Sequence, residues 1–496
     1  ALLARDDVAA LLMYLETVRD GSCFRAMAAR ARSAGKPIVL LKGGNSGGGQ
    51  SAARSHTGAL ANDEAVFAAI CRNLGVCRVD TIAEACDCLH LFERQALFGE
   101  RARDPQPLAI ASTSGGASVL AADECARAGI RLASFGPYAQ DEIRNIVPRF
   151  GRAENPIDVT GQIINEPDLM EKALAALLSD DEVGGLLVLV TMVTGEQGLQ
   201  VARALARART STEKLIAVAW TAPAAMIAQA AEILAAHNVP LFDDPVRAVR
   251  ALSKLHGFLR AALPHEAADG VSMPDGTGAA IHSEVTLRCT LRAAGLPLCR
   301  EEIVQSADEG AAAARRIGFP VVAKIVSPNI PHKSDAGLVR APLGSPEAVR
   351  HACIELLARA RDTDPRAHVE GVAVQELVKG VGEALVAIKR DPQFGPVLVL
   401  GMGGLFAEVW QDAVVVPLPT SREEIERALR SLRGYAMWRG ARGQRPADVE
   451  ALIETALRTA HLAQTLSERL RVLEFNPVIL REGSGGAAIV DVLWSE

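Results

Sequence analysis

The segment Leu108-Ala109-Ile110-Ala111-Ser112-Thr113-Ser114-Gly115-Gly116-Ala117 decides the fold class of this 496-residue chain. A short apolar run leads into a turn of serine, threonine and glycine, and a helical pattern follows. This order predicts a buried parallel strand that passes through a tight turn into a helix. Because backbone N–H groups are free at the start of a helix, the turn also predicts an anion site, although a tight strand-to-helix turn requires glycine in any case.

The same alternation of strand and helix extends on both sides of this segment. Val8 to Leu15 and Pro37 to Leu41 are apolar runs before it, and Gly185 to Met192 and Leu215 to Trp220 are apolar runs after it. Such alternation predicts doubly wound α/β layers, in which ligands bind where loops leave the carboxyl ends of the strands. We expect Val8 to Leu15 to be a strand that is buried on both faces.

Length and composition restrict the class of protein. A chain of 496 residues is too long for one core, and its 49% hydrophobic content and net charge of -6 are typical of a globular enzyme. We expect neither nucleic acid nor a membrane as a partner, because no basic surface excess or bilayer-length apolar run is present. The nine scattered cysteines favour reduced thiols. We therefore expect a cytoplasmic protein. We also expect it to be a homo-oligomer.

Two histidines lie in loops of small residues. His56 follows the glycine run Gly43 to Gly49, and His332 follows an apolar strand pattern that contains Lys324. Imidazole is nucleophilic near neutral pH and can carry a covalent group between partners, although a loop histidine beside glycine can also be incidental. Glu16 ends an apolar run, so we expect it to share a crevice with His56.

A lysine within a strand and a set of oxygen side chains near the C-terminus predict a second ligand site. Lys324 requires an anionic partner because an unpaired buried charge is costly, and a nucleotide phosphate would serve. Alternation along Val472 to Asn476 places Glu474 and Asn476 on one face of a strand. With Asp491 on the neighbouring strand, they could present three oxygen ligands to Mg²⁺, unless they form the polar face of a simple hairpin.

Several ordered motifs give the chain a resemblance to the ADP-forming acyl-CoA synthetases, the acetate–CoA ligase family that is related to succinyl-CoA synthetase. The motifs are Lys42-Gly43 with Ser55-His56-Thr57-Gly58, Ser114-Gly115-Gly116, Lys324 with His332-Lys333-Ser334-Asp335, Asp391-Pro392-Gln393-Phe394-Gly395-Pro396 with Gly401-Met402-Gly403-Gly404, and Glu474-Phe475-Asn476-Pro477. The resemblance implies an α/β protein of two doubly wound, flavodoxin-like domains followed by an ATP-grasp domain. We expect these at residues 1–104, 105–262 and 279–496, with a linker at 263–278.

The resemblance also implies roles for single residues. His56 would be a phosphorylated histidine stabilised by Glu16, and His332 would be a second phosphohistidine with Glu474 as its carboxylate partner. The other implied contacts are Ser114, Gly115, Gly116 and Ala117 for phosphate, Lys324, Glu376, Val378 and Glu383 for ATP, and Asn476 and Asp491 for Mg²⁺. The implied reaction interconverts acyl-CoA, ADP and phosphate with a carboxylic acid, CoA and ATP.

Two departures from the family pattern leave alternatives open. The family begins with a Rossmann-type CoA-binding domain, followed by the opening part of the His56 domain, and we expect neither to be complete in this sequence. Many members also have two glycines where this chain has Gly337-Leu338. The alternatives are a non-catalytic module that senses acyl-CoA or nucleotide, and an inactive remnant of the enzyme. The choice of carboxylic acid, the choice between ATP and GTP and the direction of reaction also stay open.

Overall fold

The computed structural model describes residues 2–44, 63–96, 104–147, 153–159, 167–261, 283–327, 329–330, 333, 336–404, 411–466 and 470–495. They fall into two compact units, residues 1–62 with 70–264 and residues 63–69 with 265–496. No helix in these ranges is long and apolar enough to cross a membrane. All nine cysteines are free thiols, in agreement with the expectation from their spacing.

Two parallel sheets form the first unit. Their strands are β1 Leu11–Leu15, β2 Ile38–Lys42 and β3 Cys77–Val79 in one sheet, and β4 Leu108–Ser112, β5 Ile157–Asp158, β6 Gly185–Thr191, β7 Leu215–Thr221 and β8 Leu241–Phe242 in the other. The strand orders are β1-β2-β3 and β5-β4-β6-β7-β8, and all pairings are parallel. The helices along this part of the chain are α1 Gly21–Ser33, α2 Glu64–Asn73, α3 Ile82–Ala96, α4 Gly115–Ala128, α5 Pro137–Ile146, α6 Pro167–Ser179, α7 Gly195–Thr210, α8 Ala228–Ala236 and α9 Pro245–Arg260. The predicted doubly wound α/β layers are confirmed.

Helices cover both faces of the five-stranded sheet. On one face, Val188 and Ile216 pack with helices α5 to α8. On the other face, Ile110 and Leu187 pack with helices α3, α4 and α9, and the same hydrophobic core includes Val39 from the three-stranded sheet. Each of the two parallel sheets, with its helices, forms one α/β block of the first unit. The two blocks therefore share one apolar core.

Strand β1 differs from the expectation. It covers Leu11–Leu15 rather than Val8 to Leu15, and its residues alternate between partly buried and exposed. Leu12 and Tyr14 are 55% and 61% exposed. Leu12 and Tyr14 lie on the same face of the strand, and no layer of the described residues covers them there. The prediction of a strand buried on both faces was wrong.

Two antiparallel sheets form the second unit. Their strands are β9 Glu301–Val304, β10 Val321–Val326, β11 Val339–Leu343 and β12 Gly371–Glu376 in one sheet, and β13 Gly382–Asp391, β14 Gly395–Met402, β15 Ala413–Pro417, β16 Val472–Leu480, β17 Ala487–Ile489 and β18 Val492–Ser495 in the other. The strand orders are β11-β10-β12-β9 and β15-β14-β13-β16-β17, and β18 also pairs with β16. The helices are α10 Glu284–Ala293, α11 Ala307–Ile317, α12 Pro346–Thr363, α13 Arg422–Arg430, α14 Tyr435–Trp438 and α15 Val449–Thr465. This pair of antiparallel sheets is the arrangement expected of an ATP-grasp domain.

The larger sheet of the second unit has an apolar face and a polar face. Its apolar face, which includes Val386 and Phe475, packs against helices α13 and α15. Side chains alternate along β16, so that Glu474 and Asn476 lie on the opposite face, as their spacing predicts. Lys324 is likewise excluded from the apolar core of the smaller sheet, which packs on α11 and α12. The polar residues predicted for ligands therefore project away from both cores.

Candidate functional site

Glu16 follows β1 directly and thus lies at the carboxyl end of the first sheet. Its Oε2 atom is buried and has no hydrogen-bond partner among the described residues. A buried carboxylate oxygen is costly unless it accepts a hydrogen bond, so Glu16 requires a donor. The predicted donor, His56, lies outside the described residues, and its pairing with Glu16 stays a prediction.

The turn between β4 and α4 has the geometry of a helix start. Ser114 caps the helix, and its Oγ accepts the N–H of Ala117 at 3.5 Å. The N–H groups of Gly115 and Gly116 belong to the first helical turn and have no acceptor within the helix. A Cβ on Gly115 would lie 3.3 Å from Oδ2 of Asp158, so that carboxylate lies beside the turn. The sequence did not predict this position of Asp158, because only strand pairing brings the end of β5 next to the end of β4.

In the second unit, Lys324 and Asp491 form an ion pair. Lys324 is 4% exposed, and its Nζ lies 2.7 Å from Oδ1 of Asp491 and 2.7 Å from the carbonyl oxygen of Val490. The predicted requirement for an anionic partner is met here by a carboxylate of the chain itself. Burial opposes ionisation of Asp491, but the positive charges of Lys324 and Lys333 hold the pKa of its carboxyl below its usual value.

Asn476 lies opposite Asp491 in the ladder between β16 and β18. In this antiparallel register Phe475 pairs with Val492, so the next step along both chains places Asn476 against Asp491. The Nδ2 of Asn476 also donates to Oε1 of Glu474 at 3.2 Å. The three oxygen side chains predicted at this end of the chain therefore lie together beside the buried lysine. We call these four residues, Lys324, Glu474, Asn476 and Asp491, the polar cluster.

The glycine segment after β14 joins the polar cluster to Glu383. The N–H of Gly404 donates to Oδ1 of Asn476 at 3.0 Å, and the N–H of Gly403 donates to the carbonyl oxygen of Glu383 at 3.0 Å. Gly404 has a φ of +82°, and a Cβ at this position would overlap Oε2 of Glu383. Glycine is therefore required both for the backbone conformation and for the close approach of the carboxylate.

A cavity of about 870 Å³ adjoins Glu383. One wall is the segment from Val378 to Glu383, which contains two of the residues predicted for ATP. Another wall includes Trp438 from α14 and Gln444 from the following loop. The volume is typical of a site for a small molecule or cofactor. The sequence did not predict this second wall, because neither Trp438 nor Gln444 belongs to a recognised motif.

Glu376, at the end of β12, does not line this cavity. Its carboxylate accepts the backbone N–H of Arg300 at 3.1 Å and the guanidinium Nε of the same residue at 2.9 Å. Burial opposes ionisation, but these hydrogen bonds and the positive charge of Arg300 hold the pKa of Glu376 below its usual value. Its predicted contact with adenine stays a prediction.

A buried charge network lies beside the polar cluster, formed by Glu284, Arg288, Glu301 and Lys333. Lys333 Nζ donates to both carboxylate oxygens of Glu284, at 3.0 and 2.8 Å. Arg288 donates to Glu284 at 2.7 Å and to the two oxygens of Glu301 at 2.7 and 2.6 Å. All four side chains are at most 5% exposed. The sequence signal that could have indicated it is the Glu-Arg pair at i, i+4 in α10 together with the lysine of the second histidine motif.

Gln375 connects this network to the polar cluster. Its Nε2 donates to Oε2 of Glu301 and, at 3.3 Å, to the carbonyl oxygen of Val490. That carbonyl is also the acceptor for Lys324. One continuous chain of hydrogen bonds therefore runs from Lys333 to Lys324.

The donor set of the polar cluster fits a magnesium ion that is shared with phosphate. Among the described residues, no group of three or more His, Cys, Asp and Glu side chains is placed to hold a metal by itself. Mg²⁺ is commonly held by one or two carboxylates, with phosphate and water oxygens completing its shell. Asp491 uses Oδ1 for its bonds to Lys324 and to the N–H of Val492, which leaves Oδ2 for a cation.

Replacing Glu301 with an uncharged residue tests the buried charge network, because the resulting loss of stability should depend on pH. Burial opposes ionisation, but Arg288 and Gln375 hold the pKa of Glu301 below its usual value of about 4.3. The ionised carboxylate therefore stabilises the fold above that usual value, and the stabilisation is lost as the pH falls through the lowered pKa. We expect Glu301→Gln to reduce the free energy of unfolding by about 3 kcal/mol at pH 7, and by less at acidic pH.

Chemical denaturation of both proteins between pH 7 and pH 3 measures this difference. Glu302→Gln is the matched control, because Glu302 is the next residue of the same strand but forms an exposed ion pair with Arg316 of α11. This replacement should change stability by less than about 0.5 kcal/mol. A constant difference between Glu301→Gln and the unchanged protein across this pH range would contradict the assignment.

Of the residues predicted in the second unit, Lys324, Glu474, Asn476 and Asp491 form the polar cluster, and Val378 and Glu383 line the cavity, whereas Glu376 lies in neither. In the first unit, Glu16 and the Ser114 turn lie at the ends of different sheets, and no hydrogen bond joins them in the part of the chain that is described. The two predicted phosphohistidines, His56 and His332, lie outside the described residues. Their roles stay predictions.

Comparison with known proteins identifies the family. Residues 1–92 match a succinyl-CoA ligase like flavodoxin domain, residues 108–262 a ligase-CoA domain and residues 277–494 an ATP-grasp domain. The ADP-forming acetate–CoA ligase I of Archaeoglobus fulgidus is 32% identical over 504 residues, which cover 99% of this chain and 70% of the relative. The chain belongs to the ADP-forming acetate–CoA ligase family.

One similar protein is named for a different acid, and a solved structure is also similar. The ADP-forming 4-hydroxybutyrate–CoA ligase of Nitrosopumilus maritimus is 29% identical over 498 residues, which cover 97% of this chain and 70% of the relative. A solved structure of the dinucleotide forming acetyl-coenzyme A synthetase 1 of Ca. Korarchaeum cryptofilum, in complex with coenzyme A, Ca-AMPCP and HgCl+, is 34% identical and covers 42% of this chain and 89% of that one, with a TM-score of 0.40. The predicted family, fold class and enzyme class, that of acid–thiol ligases, are confirmed.

Proposed function

We propose that this chain interconverts acyl-CoA, ADP and phosphate with the free acid, CoA and ATP through phosphohistidine, and that the nucleotide binds in the second unit. The observation that carries this proposal is the polar cluster, which lies on the faces of the two antiparallel sheets that are opposite to their apolar cores. One buried cation and three neighbouring oxygen side chains are complementary to a nucleotide phosphate that carries Mg²⁺.

Each residue of the polar cluster then has a role in binding or in phosphoryl transfer. Lys324 donates to the phosphate that is transferred and neutralises charge as the bond to ADP breaks and the bond to the imidazole of His332 forms. Asn476 and Asp491 hold Mg²⁺, which supplies further neutralisation of the phosphate oxygens. Glu474 accepts the remaining N–H of the imidazole and fixes the orientation of the ring.

The nucleoside is assigned to the 870 Å³ cavity. Glu383 can accept hydrogen bonds from ribose hydroxyls, and Val378 can pack on the base beside the end of β12. We also retain Glu376 in the proposal as a residue that borders the adenine, since it lies two positions before Val378 in the chain.

The first unit is assigned the acyl half of the reaction. His56 accepts the phosphoryl group from an acyl phosphate and carries it towards His332, and Glu16 stabilises the imidazole. The unpartnered oxygen of Glu16 supports this assignment, since an imidazole N–H would satisfy it. The N–H groups at the start of α4, from Ser114 to Ala117, hold the phosphate.

The proposal extends to the partners and the location of the protein. CoA is the acyl acceptor, because the relatives named above are CoA ligases. The carboxylic acid is left open between acetate and larger acids such as 4-hydroxybutyrate. We propose a homo-oligomer in the cytoplasm, where the substrates ATP and CoA are available.

Incubation with γ-labelled ATP and Mg²⁺ tests the proposed function. We expect label on the protein that is stable in base and lost in acid, and that returns to ATP when ADP is added. His332→Ala should take up no label, and His56→Ala should take up less than the unchanged chain. An unlabelled protein that still binds nucleotide would instead favour the sensing module.

A further inference from the structure

We infer that Glu284 and Lys333 are positioning residues for phosphoryl transfer, because their buried ion pair fixes the chain next to His332 to helix α10. This inference rests on the proposed function, since it concerns the same site. Neither residue belongs to the polar cluster, and neither lines the cavity. Their effect on the reaction would therefore be exerted through the placement of other groups.

Lys333 is held by both its side chain and its backbone. Its side chain is 5% exposed and donates to both oxygens of Glu284. Its carbonyl oxygen accepts the N–H of Leu338 at 2.8 Å, and the carbonyl of Leu338 in turn accepts the N–H of Ile325 in β10 at 3.2 Å. A lysine that follows a strand is most stable in water, so its burial at this point in the chain requires a compensating partner.

The anchor at Lys333 is continuous with the residues proposed to hold the nucleotide phosphate. Glu284 is bonded to Arg288, and Arg288 is bonded to Glu301. Glu301 then reaches the carbonyl of Val490 through Gln375, and Lys324 donates to the same carbonyl. One continuous series of hydrogen bonds therefore joins Lys333, the neighbour of His332, to Lys324. A displacement of about 1 Å between reacting groups can cost about a hundredfold in rate.

Stability alone does not account for this network. Replacing a buried set of ion pairs by apolar side chains of similar volume is often neutral or stabilising. The network does supply geometry, because the planar guanidinium of Arg288 fixes the angle between two carboxylates. The four buried charges then contribute by fixing the positions of the chain at Lys333 and of Lys324, which the network joins.

A charge-balanced double variant separates positioning from stability. Lys333→Met removes one of the two cations that bond Glu284, and Glu284→Gln leaves the buried Lys333 without its carboxylate, so each unbalances the buried charges and should lower the melting temperature. The double variant removes one positive and one negative charge, and its glutamine can still bond Arg288, so it should recover most of the melting temperature. The rate of phosphohistidine formation at saturating ATP should fall at least about tenfold in Lys333→Met and remain low in the double variant.

Two further measurements complete the design. ATP affinity should stay within about twofold of the unchanged chain in all three variants, because no residue that holds the nucleotide is removed. Glu302→Gln is the control, since Glu302 follows Glu301 in β9 but forms an exposed ion pair with Arg316 of α11, outside the network. It should change neither the rate nor the melting temperature.

The possible outcomes decide the inference. Recovery of both rate and melting temperature in the double variant would make the pair purely structural, and a parallel loss of ATP affinity would make Lys333 a nucleotide ligand. Either result overturns the inference. If the unchanged chain takes up no label, the proposed function fails, and hydrogen exchange still tests the anchor. The Leu338 amide should then exchange faster in Lys333→Met and in the double variant, whereas unchanged exchange would overturn the anchor as well.

Discussion

Replacing Lys324 with methionine is expected to slow phosphorylation of the chain by ATP roughly 100- to 1,000-fold. Methionine keeps most of the length and volume of the side chain but removes the one cation that lies within the polar cluster. Without it, the charge that develops on the transferred phosphate loses the buried cation proposed to neutralise it. Asp491 also loses its ion pair and repels the phosphate. Initial rates of labelling and calorimetric titration with ATP measure both effects.

Arg316→Met is the matched control for this prediction. Arg316 is a cation of the same unit, but its side chain is 60% exposed and pairs with Glu302. Its replacement should leave labelling and ATP affinity unchanged. Circular dichroism of Lys324→Met checks that the variant is folded. A folded Lys324→Met protein that is labelled at the normal rate would show that the transferred phosphate does not bind at this lysine.

Replacing Gly404 with alanine is expected to lower the catalytic efficiency for ATP by about 100-fold. The added methyl group would overlap Oε2 of Glu383, and the φ of +82° is one that alanine rarely adopts. Relief of the overlap must move either the Glu383 side chain or the N–H that Gly404 donates to Asn476. Both movements alter the proposed nucleotide site. Steady-state kinetics with ATP as the varied substrate measure the loss.

Gly483→Ala separates the two causes of this effect. Gly483 has a similar φ of +63°, but a Cβ there would meet no atom within 4 Å. Its replacement should cost only the backbone term of about 1–2 kcal/mol in stability, with no change in catalytic efficiency. Equal losses of efficiency in the two variants would mean that the contact between Gly404 and Glu383 has no part in nucleotide binding.

The sequence predicted those features that depend on local spacing. Lys324 is the single charge in an apolar strand, and a buried charge must have a partner, so its participation in an ion pair follows from its position. The placement of Glu474 and Asn476 on one face follows from the two-residue period of a strand. Neither prediction needed knowledge of distant parts of the chain.

Features that depend on tertiary neighbours could not be predicted. An apolar run such as Val8 to Leu15 does not reveal whether another layer covers both of its faces. The prediction of a fully buried strand was therefore wrong for Leu12 and Tyr14, which are exposed. Glu284 and Arg288 at i, i+4 have the spacing of an ordinary solvated helix pair. Only the approach of β9 and of Lys333 turns them into a buried network.

The shared apolar core of the first unit has a consequence for how the chain melts. Val39 and Ile110 belong to different α/β blocks but lose contact with water in the same cluster. If the two blocks were produced as separate chains, divided between residues 96 and 104, part of that apolar surface would be exposed to water. The cost in free energy would be proportional to the exposed area. Neither block can therefore unfold while the other keeps its full stability, and the two form one cooperative element even though each has a sheet of its own.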